Sequence, residues 1–156
     1  MSCMERQLDD SNGTPVGFVA RRKAVKMRKP LLTESDLQQF TGTERWYRHA
    51  LVRNVTFTDG AKYLAHHAGA YWLLDIIAFA QPHTAGLANE YFQTWRLTVN
   101  ADASATVVCT DGNDKELYRQ AIPYTDFPLS EMTLYCCRDG VLGYGVDWVI
   151  LLPREY

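Results

Sequence analysis

The chain is poor in most of the features that announce a function. No stretch is apolar for long enough to cross a bilayer. The longest, Ala68 to Ala80, has 13 residues with Asp75 inside it, against the roughly 20 that a spanning helix needs. The first residues carry no hydrophobic core of the secretory kind, so export is not expected. Cysteine is scarce and badly spaced for a disulfide framework. Cys136 and Cys137 are adjacent, Cys109 is isolated and Cys3 lies near the start, so reduced thiols in a cytoplasm are the expectation. CxxC, HExxH and His-x-His pairs are all missing, which leaves no recognisable metal motif. There is no GxSxG turn for a nucleophile. The one glycine-rich segment, "DGVLGYG", lies between expected strands instead of opening a helix, so it is no phosphate loop. The expectation is therefore a protein without membrane span, metal or cofactor.

What is present is an ordinary globular composition, 47% hydrophobic and 22% charged, in a chain of one-domain length. The net charge of −2 hides a split. Residues 1–31 hold seven basic and three acidic side chains, whereas the remainder holds nine basic and fifteen acidic, giving +4 and −6. Residues 1–30 lack hydrophobic periodicity and read as a disordered basic N-terminal arm, followed by a single domain over 31–156. Arg21, Arg22, Lys23, Lys26, Arg28 and Lys29 make the arm a candidate nucleic-acid contact, although no aromatics interleave them and the acidic body would repel phosphate.

Along the domain, "LTESDLQQFTGT" predicts a short helix from Glu34 to Phe40, capped by Thr33 with Asp36 and stopped near Gly42. "RWYRHALVR" suggests a strand or extended lead-in, and "VTFT" a second short strand before a cap at Thr58 or Asp59. "YLAHHAGAYWLLDIIAFAQPH" is the clearest helix, apolar nearly all round, open to division at Gly69 and ended by Pro82. From Tyr91 the pattern turns to period two. "FQTWRLTV", "ATVVC", "ELYRQAI", "MTLYCC" and "VDWVILL" read as five antiparallel strands joined by turns. The fold expected is α+β: an antiparallel sheet of about five strands packed on a buried helix, with a short N-terminal helix.

Chemistry concentrates in the long helix. His67, Tyr71 and Asp75 share a stripe if the helix is unbroken. The functional reading is an acid/base site using Asp75 with His67 or His49. The competing reading is a buried carboxylate satisfied by a tyrosine, an arginine or backbone amides, which would make Asp75→Ala costly by several kcal/mol. The second feature is the number of aromatics. Most belong in a core, but "YTDFPL" and "RDGVLGYG" place some in loops, so Tyr124, Asp126, Phe127, Leu142 and Tyr144 are candidate partner-binding residues.

"FTGTERWYRH", "TDGAKYLAHHAGAYWLLDIIA", "YTDFPL" and the terminal "LLPREY" together resemble an uncharacterised bacterial domain family common on plasmids, integrative elements and phages. The resemblance covers about Leu32 to Tyr156. It implies a cytoplasmic protein of mobile elements and brings no catalytic residues with it. With the catalytic motifs absent, the expected function is a non-enzymatic protein-binding module, for example an inhibitor of a host defence complex such as a CRISPR effector. The alternatives are a small enzyme built on Asp75 and a nucleic-acid binder acting through the arm. Oligomeric state is left open.

Overall fold

The computed structural model describes residues 31–140 and 147–156. Helix α1 (Glu34–Leu37) starts where the sequence places it. Thr33 accepts from the Asp36 amide while the Asp36 carboxylate accepts from the Thr33 amide, a reciprocal capping box. Those hydrogen bonds hold the Asp36 carboxyl below its ordinary range.

Strands β1 (Trp46–Arg48) and β2 (Val55–Thr58) follow, then helices α2 (Asp59–Ala68) and α3 (Tyr71–His83). After a single 3-10 turn at Leu87–Asn89 come β3 (Phe92–Val99), β4 (Ala105–Thr110), β5 (Glu116–Ile122), β6 (Glu131–Asp139) and β7 (Asp147–Leu151). A last 3-10 turn spans Pro153–Glu155.

All seven strands form one sheet in the order β1-β2-β7-β6-β3-β4-β5. β2 runs parallel to β7, and every other pair is antiparallel. The expectation of about five antiparallel strands is thus corrected to a seven-stranded mixed sheet. The five C-terminal strands form, but β7 is buried at all five positions and takes a neighbour on each side. β2, buried at all four of its positions, supplies the second neighbour. A strand buried on both faces shows no alternation, and three or four residues are too few to reveal a period.

The single buried helix expected is also corrected. Gly69, at φ 63° and ψ 36°, occupies the left-handed region and divides it in two. Neither piece is sealed. α3 buries Leu73, Leu74, Ile77 and Ala78 against a core containing Trp95, Val107, Leu134 and Ile150. Its other side, with Tyr71, Asp75 and Phe79, is exposed.

A buried amide network fastens α3 to the sheet. Gln81 and Gln93 exchange two hydrogen bonds of 2.9 Å, Trp95 Nε1 donates to Gln93 Oε1 at 3.0 Å, and Gln93 Nε2 donates to the Leu87 carbonyl at 3.1 Å. Two glutamines in an apolar layer are tolerated because each finds its complement in the other.

Candidate functional site

Two grooves lie beside the helices. The first, of about 670 Å³, runs between the Thr41–Glu44 loop and α2. Asp59, Lys62, Tyr63 and His66 recur at helical spacing along its α2 wall. Thr58 caps α2, accepting from the Ala61 amide at 3.3 Å. The terminal "PREY" segment buttresses the same end. Glu155 accepts from the Thr58 hydroxyl at 2.6 Å, the Gly60 amide at 3.1 Å and the Leu152 amide at 3.0 Å, placing a carboxylate on the positive end of the helix. A Cβ at Gly60 would lie 2.6 Å from Glu155 Oε2 and from Leu152 Cδ1, so a side chain there would displace both.

Polar groups in this first groove largely satisfy one another. Tyr47 donates to Asp59 at 2.9 Å, and Thr43 accepts from the Asp59 amide at 3.3 Å. Lys62 Nζ sits 4.0 Å above the Tyr47 ring, a cation–π contact. His67 stacks on Tyr63 at 3.8 Å and donates from Nδ1 to the Tyr63 carbonyl at 3.0 Å. A carbonyl only accepts, so Nδ1 carries a proton.

The second groove separates α3 from the edge strand β5. It consists of a well of about 530 Å³ beside Trp72, Ile122 and Tyr124, and one of about 330 Å³ beside Asp75, Phe79 and Tyr118. Ile76 and Gln120 line both, making the two wells neighbours. Asp75 stands in the second well with its side chain 52% exposed. Its Oδ1 lies 2.8 Å from Nε2 of His49, which is only 5% exposed. The amides of Leu51 and Val52 donate to His49 Nδ1 at 3.2 and 3.0 Å. With Nδ1 occupied as an acceptor, Nε2 is the protonated nitrogen and donates to Asp75. Phe79 meets the His49 ring edge-on at 5.8 Å.

These positions answer the sequence expectations residue by residue. Asp75 is partnered by His49, and it is half-exposed, not buried. The shared stripe of His67, Tyr71 and Asp75 does not form, because the break at Gly69 puts His67 on α2 and the other two on α3. Tyr124 and Asp126 line the second groove, with Tyr124 70% exposed. Phe127 is a core residue, 6% exposed, so it is no surface anchor. Leu142, Tyr144 and the arm residues Arg21, Arg22, Lys23, Lys26, Arg28 and Lys29 lie outside the described residues.

Sequence reasoning missed Trp72, Ile76, Phe79 and Tyr118. The signal was available: Trp72, Ile76, Phe79 and His83 follow helical spacing around Asp75, and a carboxylate on an apolar helix marks its solvent side.

Three free cysteines are described. Burial raises the Cys109 thiol from 9.0 to about 12 and Cys137 to about 11, and lifts Cys136 well above its ordinary value. They stay protonated near neutrality and are poor nucleophiles there. No described helix is long and apolar enough to cross a membrane.

Residues 31–156 match the model of a family of unknown function, DUF6876, and the chain belongs to that family. No curated protein matches. Among solved structures, the crystal structure of a protein of unknown function from Enterococcus faecalis is similar at 19% identity and a TM-score of 0.43. That match covers 66% of this chain and 90% of the other.

Proposed function

We propose that this family member is a non-enzymatic protein-binding module whose partner seats in the groove between α3 and β5. The observation that carries the reading is the open apolar side of α3. Phe79 is 40% exposed and Tyr71 41% exposed, with Trp72 and Ile76 beside them and Tyr124 across the groove. Exposed aromatics gathered on one helix and on the loop leaving β5 are the composition of an interaction surface.

The local chemistry favours the same reading over an acid/base enzyme. His49 donates one nitrogen to Asp75 and accepts two amides on the other, so no nitrogen is left to take or deliver a substrate proton. The pair works as an anchor: it fixes one carboxylate oxygen and leaves the half-exposed group facing the groove.

The resemblance to proteins of plasmids, integrative elements and phages makes a host defence complex, such as a CRISPR effector, the first partner to test, in the cytoplasm. The experiment is affinity capture with the full chain as bait beside its Phe79→Asp variant, with cross-linking to map the contact. A protein recovered by the parent, lost with the variant and cross-linked near α3 is the expected result. Equal recovery by both baits would sink the reading.

A further inference from the structure

The sheet ends at β5, and among the described residues that strand has one neighbour, β4. The two edges of the sheet are unlike. β1 is three residues long, whereas β5 runs for seven. From Leu117 to Ile122 the strand has no proline, and its one charge, Arg119, turns to the face away from the helices and pairs with Glu116, so the helix side of the edge carries no blunting charge. Its one irregularity, a register shift, falls at the first pair opposite Cys109 and Thr110.

Tyr118, Gln120 and Ile122 pair with Cys109, Val107 and Ala105, which are all core residues, so they point to the helix side. A strand added about 4.8 Å outside β5 would point alternate side chains the same way, onto the open side of α3. The two elements also match in direction and length. Trp72 shares a well with Ile122 and Tyr124, while His83 shares one with Tyr118, so α3 and β5 run antiparallel along the groove. From Tyr118 to Ile122 a strand covers roughly 13 Å, and from Trp72 to His83 a helix covers roughly 16 Å. That length suits five or six residues of extended chain.

Charge selects among such chains. Asp75 offers a carboxylate in one well, Asp126 lines the other, and the described body belongs to the acidic part of the sequence.

We infer that β5 accepts an added strand: an extended peptide, with apolar side chains at alternate positions and a lysine or arginine set to reach Asp75, pairs with its free edge and packs against Trp72, Ile76 and Phe79. This rests on the protein-binding reading and names the form the partner presents. Backbone hydrogen bonds would supply affinity, and the two wells and the carboxylate would supply selectivity.

The test pans the full chain against a displayed library of random heptapeptides. The enriched sequence is then resynthesised in two N-methylated forms, each blocking the amides of one edge. The expected consensus alternates apolar residues and includes a basic one. Affinity should fall roughly tenfold or more when one edge is methylated, and hardly at all when the other is. Phe79→Asp should weaken binding roughly tenfold, and Asp75→Asn, which keeps the acceptor for His49, should weaken only peptides carrying the basic residue. Amide exchange along β5 should slow in the complex.

Absence of enrichment would overturn the inference, as would an acidic consensus, a consensus with helical spacing, or equal binding by both methylated forms. A concentration-dependent dimer abolished by Phe79→Asp would overturn it too, by giving the edge to a second copy. Should the peptides fail while affinity capture still depends on Phe79, the binding module stands and strand addition does not.

Discussion

In the groove between the Thr41–Glu44 loop and α2, Tyr47, Thr43, Asp59 and Lys62 engage one another, and Glu155 braces the helix from behind. In the groove between α3 and β5, one anchored carboxylate stands among exposed aromatics beside a strand edge that has no partner among the described residues. The first groove carries more polar groups, yet most of its bonding capacity is already used internally. The second has less polar chemistry and more of it uncommitted. The number of polar groups is therefore a poor guide to which surface binds, because a partner gains mainly from groups whose present alternative is water.

The largest expected effect tests what holds α3 in place. Gln93→Leu removes the acceptor of Trp95 Nε1 and of Gln81 and leaves both donors buried, so stability should fall by about 3 kcal/mol in a urea titration. A loss under 1 kcal/mol would mean the network adds little to the footing of the second groove.

The brace of the first groove comes next. Gly60→Ala forces a Cβ onto Glu155 and Leu152 and should cost about 2 kcal/mol. Glu155→Ala should cost a similar amount, about 2 kcal/mol, by removing three accepted hydrogen bonds. The double variant should cost clearly less than the two together, since removing the Glu155 side chain vacates part of the space the new methyl needs. Strict additivity would break the argument that the two residues touch.

Under the second groove, Cys109 couples stability to pH. Its thiol titrates near 9.0 when unperturbed and near 12 in the fold, so above pH 9 the unfolded chain loses this proton first. Stability contributed by the site is full below that point and declines as pH rises towards 12. Denaturation midpoints from pH 7 to 10.5 should fall less steeply in Cys109→Ala than in the parent; parallel slopes would exclude the coupling.

The smallest effects sharpen the contrast most. Asp75→Ala should cost about 1 kcal/mol or less, because water can replace a half-exposed acceptor. A loss of several kcal/mol would restore the buried-carboxylate expectation. Phe79→Asp should shift the melting midpoint modestly, corresponding to about 1 kcal/mol, while abolishing partner capture.

Individual elements were legible in the residues, but the sheet they build was not. The cap at Thr33, the break at Gly69 and the five C-terminal strands all rest on local rules, and local rules act within a few positions. β1 and β2 were visible only as isolated strands, since they pair with each other but join the sheet through β2 against β7, some ninety positions apart. The site was harder to read. Asp75 drew attention at once, but its partner His49 stands 26 positions away, beyond the reach of any spacing argument. Phe127 and Tyr124 sit three positions apart in the same loop, and only burial separates the core residue from the surface one.

Alternation and helical periodicity belong to the chain itself, so the residues alone determined that this protein joins two helical segments to a run of strands and brings no recognised catalytic or metal motif. Which strand ends the sheet, which side of α3 stays open and which imidazole holds Asp75 were decided by tertiary structure. Those outcomes depend on contacts between distant segments, and a pattern confined to neighbours does not contain them.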